Sequence, residues 1–278
     1  MALIESFPLG RYVPYTSFVH ALDPRTKLLT TVAVAAWVFL ATTAGMLCFI
    51  WIFLGVALAA SKIPWKYFVM SLLPIVWVLV FLAIIQIVLE QRGTTVWQFG
   101  IIRITDQGMY GALFLVMRLV ALFAASALLT LTTSPLHLTR GLESLLAPLK
   151  RLGVPIDAFS LMLTIALRFI PTMLDELFMI VKAQTARGAD FSSKHIKSRL
   201  EALLSLFIPL FVLSFRRADR LALAMEARGY DVKRTLSHWR VLTFRWADRL
   251  VLLGVVLITM MYVLLKFYPV LHTLLGKP

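Results

Sequence analysis

Apolar positions in this chain come in long blocks. Leu28 to Ala60 is 33 residues without a charge. A membrane-spanning helix needs about 20 apolar residues, within a range of about 17–25. The block is too long for one span and short for two, and Thr42-Thr43-Ala44-Gly45 is its one turn-forming stretch. The pattern predicts two short helices, 28–43 and 46–61, joined by a tight hairpin; one long tilted helix is the competing reading. Lys62, Pro64 and Lys66 end the block, and a third span is expected over Tyr67–Leu89 with Pro74 inside it. Glu90–Asp106 is polar and mixed and reads as an external loop. Met109–Thr130 is the fourth expected span. Its Ala121, Ala124, Ala125, Ser126 and Ala127 permit close helix approach in lipid. Trp246–Phe267 is the fifth.

Between the fourth and fifth spans the pattern changes. Ser134-Pro135 opens a short amphipathic helix that runs to about Leu152. A second helix is expected after Pro155, with Asp157 as N-cap and Pro171 interrupting it, up to Arg187. A third is expected from about Ser193 to Arg228, with Pro209 inside. Both long helices are rich in Leu, Phe and Met, yet they carry Arg168, Asp175, Glu176, Lys182, Arg216, Arg217, Asp219 and Arg220. Each charge at a bilayer centre costs about 2.5–3.5 kcal/mol on insertion scales. The long helices therefore read as lying at or below the cytoplasmic face, with their apolar flanks covered. The expected fold is an all-α integral membrane protein with about five transmembrane helices and three cytoplasmic or interfacial helices. Its segments are 1–131 (N-terminal stretch and four spans), 132–245 (cytoplasmic) and 246–278 (last span and tail).

Composition supports the membrane class. The chain has 278 residues, 60% of them hydrophobic and only 15% charged, where a soluble domain averages about a quarter charged. Its formal charge of +14 fits cytoplasmic loops rather than nucleic acid. With the N-terminus inside, residues 1–27 carry three Lys or Arg, the 62–66 loop two and 132–245 seventeen, against two in 90–106 and two in the tail. This distribution favours N-in and C-out in a prokaryotic cell membrane. Residues 1–27 hold Pro8, Gly10, Pro14 and Pro24 and no compact apolar core, unlike a cleaved signal peptide. Cys48 is the one cysteine, so no disulfide or cysteine-based metal site forms within one chain.

No visible motif supplies catalytic chemistry. There is no phosphate-cradling G-x-x-x-x-G-K-[ST], no H-E-x-x-H and no G-x-S-x-G. If the protein works with ATP, another chain binds it.

One local pattern occurs twice: QTARGAD at Gln184–Asp190 and MEARGYD at Met225–Asp231. Singly, each is an ordinary helix end. Glycine accepts the left-handed cap, and arginine suits the negative end of the helix dipole. Paired at the ends of two long helices, each also presents an arginine whose planar fork can hold a carboxylate, beside residues small enough to enter a groove. With LDPRTKLL at Leu22–Leu29, LTLTTSP at Leu129–Pro135, LRFIPTMLDE at Leu167–Glu176, QTARGADF at Gln184–Phe191 and FRRADRLALAMEARGY at Phe215–Tyr230, the chain resembles the transmembrane coupling subunit, or T component, of energy-coupling factor transporters. These are ABC-type importers of vitamins and metal ions.

The resemblance implies a non-catalytic scaffold whose two long helices cross. It implies two ABC-type ATPase subunits that receive the tips Ala186-Arg187-Gly188 and Ala227-Arg228-Gly229. ATP and magnesium then sit on those partners, and no cofactor sits on this chain. It also implies a separate membrane-embedded substrate-binding subunit resting on the helices' apolar surface. Met162, Leu163, Phe169, Met173, Leu203, Phe207 and Phe211 are candidates for that surface, and internal packing is the alternative for each. The tips' differing flanks, Thr185 and Ala189 against Glu226 and Tyr230, favour two related, non-identical ATPases. Arg216, Arg217, Asp219 and Arg220 lie near one another, with Asp219 within i−3 reach of Arg216, and read as an intrahelical or interhelical brace. Arg118 marks a functional path, snorkels, or pairs with Glu90. Other readings are a dedicated cobalt or nickel uptake version of the scaffold and, in a different class, a membrane-embedded hydrolase using Asp175 and Glu176.

Overall fold

The first membrane helix starts where the sequence supplies both a cap and a fixed φ. Asp23 accepts the Arg25 N–H at 2.9 Å, and Pro24 occupies the first turn. The computed structural model describes residues 13, 15–90, 92–99, 102–189, 191, 195–231 and 244–275; at 96–99, 102–103 and 265–275 it describes the backbone alone. The described chain is helical apart from one antiparallel β-hairpin, β1 (Thr95–Phe99) and β2 (Ile102–Thr105). That hairpin lies in the stretch read as an external loop. It divides into two compact units, residues 1–145 with 242–278, and residues 146–241.

In the first unit, a short α1 (Phe18–Ala21) precedes α2 (Pro24–Leu40) and α3 (Ala44–Ser61). The break at residues 41–43 selects the two-helix hairpin over one tilted helix. α4 (Trp65–Leu72) and α5 (Val76–Leu89) form the third span. Pro74 lies in the 3₁₀ turn Leu73–Ile75 between them, where its missing N–H is tolerated. α6 (Asp106–Thr132) is capped by Thr105, whose hydroxyl accepts the Gly108 N–H and donates to the Glu90 carbonyl at 2.8 Å. A Cβ on Gly108 would stand 2.9 Å from that same carbonyl oxygen, so the close approach of α5 to α6 requires glycine.

α6 is the central element, packed against α2, α3, α4 and α5. Ala121, Ala124 and Ala125 are buried in those contacts, as their size allows. α10 (Trp246–Leu275) packs on α2. Trp37 stacks on Tyr262 with ring centroids 6.0 Å apart and donates its indole N–H to Thr259 at 2.9 Å. Arg118 donates to the Ala41 carbonyl at the end of α2 and lies 4.9 Å over Phe114. It therefore caps a neighbouring helix instead of pairing with Glu90. α7 (Pro135–Leu146) belongs to this unit: a Cβ at its Gly141 would lie 3.0 Å from Pro24.

The second unit holds the 3₁₀ turn Ala147–Leu152, then α8 (Ile156–Ala186) and α9 (Ile196–Ala227). Pro155, not Asp157, occupies the N-cap of α8. Asp157 sits in the first turn and pairs with Lys150 across the Gly153 turn at 2.5 Å. α8 runs on through Pro171, and α9 through Pro209. By length and apolar character six described helical segments can cross a membrane, and four of the five expected spans are among them: α3, the α4–α5 segment, α6 and α10. α8 and α9 qualify, while α2 is only 17 residues long. Their longest uncharged runs are only 158–167 in α8 and 202–215 in α9, so each qualifying stretch includes charged residues.

Candidate functional site

Both Ala-Arg-Gly triplets end their helices in the same way. At the end of α8 the Gly188 N–H donates to the Thr185 carbonyl and the Ala189 N–H to the Gln184 carbonyl, both at 3.0 Å. At the end of α9 the Gly229 N–H donates to Glu226 at 2.9 Å and the Tyr230 N–H to Met225 at 3.0 Å. These are two Schellman caps matched bond for bond. Gly188 has φ +91° and Gly229 has φ +71°, the left-handed region that favours glycine. Ala186, Arg187, Ala227 and Arg228 are exposed. Neither arginine forms an ion pair among the described residues.

The contacts between α8 and α9 fix their direction. Met173 receives a hydrogen bond from Ser214 (3.4 Å), Gln184 donates to the Ser205 carbonyl (3.2 Å), and Arg217 lies 5.6 Å over Phe169. As one number rises the other falls, so the helices run antiparallel. Met173 stands fourteen residues before Arg187, and Ser214 fourteen before Arg228. Each tip thus lies about 21 Å along its helix from a shared centre, at 1.5 Å per residue, and the tips point to opposite ends. Glu176 and Arg217 form an ion pair beside that centre. Toward the Arg228 end the helices part around a cavity of about 290 Å³, lined by Ile165, Phe169, Met173, Arg217 and Leu221 among others. Toward the Arg187 end Gln184 closes on Ser205, and Ala202 and Leu206 are buried.

The expected partner surface separates into two groups. Leu203, Phe207 and Phe211 repeat every fourth residue on α9, and Phe207 and Phe211 are 63% and 64% exposed. Phe215 continues the row, its ring 4.7 Å from Phe211. Met162 of α8 is also exposed, at 66%. Phe211 lies level with Glu176, so Met162 is about 21 Å further along the hairpin. Leu163 is half-buried, and Phe169 and Met173 line the cavity between the helices. The brace expected among the α9 charges is of the interhelical kind: Arg217 reaches Glu176 on α8, while Arg220 donates to the Arg216 carbonyl.

One polar cluster escaped the sequence reading. Asp248, 1% exposed, accepts the Asp23 N–H at 2.8 Å and the Arg245 N–H at 2.9 Å, joining the starts of α2 and α10. Lys27 donates to the carbonyls of His20 and Thr132, tying α1 and α6 to the same point. LDPRTKLL and LTLTTSP therefore meet in one latch. The available signal was Asp248, the one acidic residue of a largely apolar helix, since buried charges need partners. Beside the latch, His20 donates its Nε2–H to the Val13 carbonyl and accepts the Ser17 hydroxyl at Nδ1. Its pKa is lowered by burial, against a raising effect from the Val13 bond, and Lys27 lowers it further.

Residues 15–239 match the family CbiQ, cobalt transport protein. The chain is 38% identical to the energy-coupling factor transporter transmembrane protein EcfT of Bacillus subtilis (strain 168) over 264 residues, 95% of this chain and 100% of that protein. It is 41% identical to EcfT of Ruminiclostridium cellulolyticum (96% and 99% covered) and 44% identical to EcfT of Brevibacillus brevis (90% and 94% covered). A match of this extent, over a helical fold with membrane-spanning segments and two equal arginine tips, makes the chain a member of the T-component family of energy-coupling factor transporters.

Proposed function

We propose that this protein is the scaffold that couples ATP hydrolysis by two separate ATPase subunits to uptake of a vitamin or other micronutrient. A separate membrane subunit captures that cargo. The observation that carries the reading is the matched pair of exposed arginine caps, equidistant from the α8–α9 centre. An arginine on a blunt, glycine-ended tip suits an acidic groove, and two such tips suit two similar grooves. The exposed row Leu203, Phe207, Phe211 is the surface on which the capture subunit rests, with Met162 as an outlying contact. The N-terminus is cytoplasmic, and the chain itself catalyses nothing.

Two other readings fit less well. A hydrolase using Asp175 and Glu176 needs carboxylates in a cleft. Asp175 is exposed, Glu176 is engaged by Arg217, and neither lines the cavity between α8 and α9. A dedicated metal-ion version remains compatible with the family description. The described residues hold no cluster of His, Cys, Asp or Glu suited to a metal, and in such a scaffold the ion belongs to the capture subunit.

The test is Arg187→Glu combined with Arg228→Glu. ATPase co-purification should be lost while the chain still reaches the membrane at wild-type level. Wild-type ATPase stoichiometry in the double variant would refute the assignment.

A further inference from the structure

The α2–α3 hairpin is joined tightly at residues 41–43. At its other end a cavity of about 210 Å³ separates the two helices in front of α6. Phe18 and Leu22 border it on the α1 side, Val56 and Ala57 on α3, and Leu129 on α6. Few polar side chains reach it, and each already donates to a backbone carbonyl. Lys27 donates to His20 and Thr132, Thr30 to Thr26 (2.8 Å), Thr31 to Lys27 (2.9 Å) and Thr132 to Leu128 (2.7 Å). A buried water needs 2–4 polar partners, whereas an apolar cavity of about 150 Å³ stays dry and takes up benzene. This lining therefore selects hydrocarbon.

Two observations identify the source of that hydrocarbon. The cavity wall is continuous with the apolar outer surface of the membrane unit, since its Val56 and Phe18 are 64% and 56% exposed. Just past the end of α3, Lys62, Trp65, Lys66 and Tyr67 are all exposed. That mixture of basic and aromatic side chains marks the head-group level of a bilayer. Lys62 follows only two residues after Ala60, which lines the cavity.

We propose that the cavity is a phospholipid site. One acyl chain lies between α2 and α3, and the phosphate stands at Lys62 and Lys66. The lipid chain supplies packing that the two helices do not supply to each other, and it backs α1 on its inner side. This site is independent of the tips and of any ATPase.

The experiment uses the full-length chain in nanodiscs containing phosphatidylglycerol with a photoactivatable diazirine in its acyl chain. Adducts should map to the α3 peptide with Val56 and Ala57 and to the α6 peptide with Leu129. Ala57→Phe, which fills the cavity, should remove them. Lys62→Gln with Lys66→Gln leaves the cavity intact and should weaken the same adducts, so the proposal stays testable if the filled variant fails to fold. Adducts confined to outward-facing residues such as Trp77 and Phe81, or undiminished in both variants, would overturn it.

Discussion

Gly188 and Gly229 have open space where a Cβ would stand, with nothing within 4 Å. Their requirement is conformational: an L-residue in the left-handed region costs about 1–2 kcal/mol. Alanine at either position should fray the tip and reduce ATPase co-purification, and asparagine, which tolerates that region, should reduce it less. Equal loss from alanine and asparagine would show that size, not φ, is what matters. His20 gives a second prediction. Its pKa lies below 6.5 because burial disfavours the charged ring. Its contribution to stability is whole above pH 6.5, the unfolded value, and is lost as pH falls below it toward the folded pKa. Thermal unfolding should therefore shift downward on acidification, and His20→Gln should flatten that shift. At this scale the sequence revealed what is local. A cap is written in four or five consecutive residues, so both Ala-Arg-Gly ends were legible. The Asp23–Asp248 contact spans 225 positions, and no local pattern announces it.

Between elements, Glu176–Arg217 is the ion pair nearest the centre of α8 and α9. Its side chains are 17% and 26% exposed, so removing one partner leaves a charge largely shielded from water. Arg217→Met should cost on the order of 2 kcal/mol. Exchanging the two residues, Glu176→Arg with Arg217→Glu, should recover part of it. A double-mutant cycle on denaturant unfolding measures the coupling, and additive effects would show that the pair does not join the helices. The ends of α2 and α3 were readable because 33 uncharged residues exceed one span and only one stretch inside them turns. Pro171 misled in the opposite sense. Proline breaks a helix only where its lost hydrogen bond goes uncompensated, and in a long packed helix the ladder resumes beyond it. Exposure along the proposed partner surface was only half legible. Spacing alone cannot tell the outward row Leu203, Phe207, Phe211 from the inward Phe169 and Met173, because both follow helical periodicity and only the partner helix distinguishes them.

For the whole molecule, the proposed N-in orientation predicts that the β-hairpin is outside and the Arg187 tip in the cytoplasm. With Cys48→Ser as background, Thr94→Cys should react with a membrane-impermeant maleimide in intact cells, and Ala189→Cys only after lysis. The reverse pattern would invert the topology. The tips carry one more consequence. Along the sequence, the second is the first displaced by 41 residues, a plain translation. In space α8 and α9 run in opposite directions, and Met173 and Ser214 meet at equal distances from the two ends. Duplication has thus become rotation: a half-turn about the Met173–Ser214 contact carries one arginine tip onto the other. Anything that grips both tips in the same manner must itself be present twice and be related by that same half-turn.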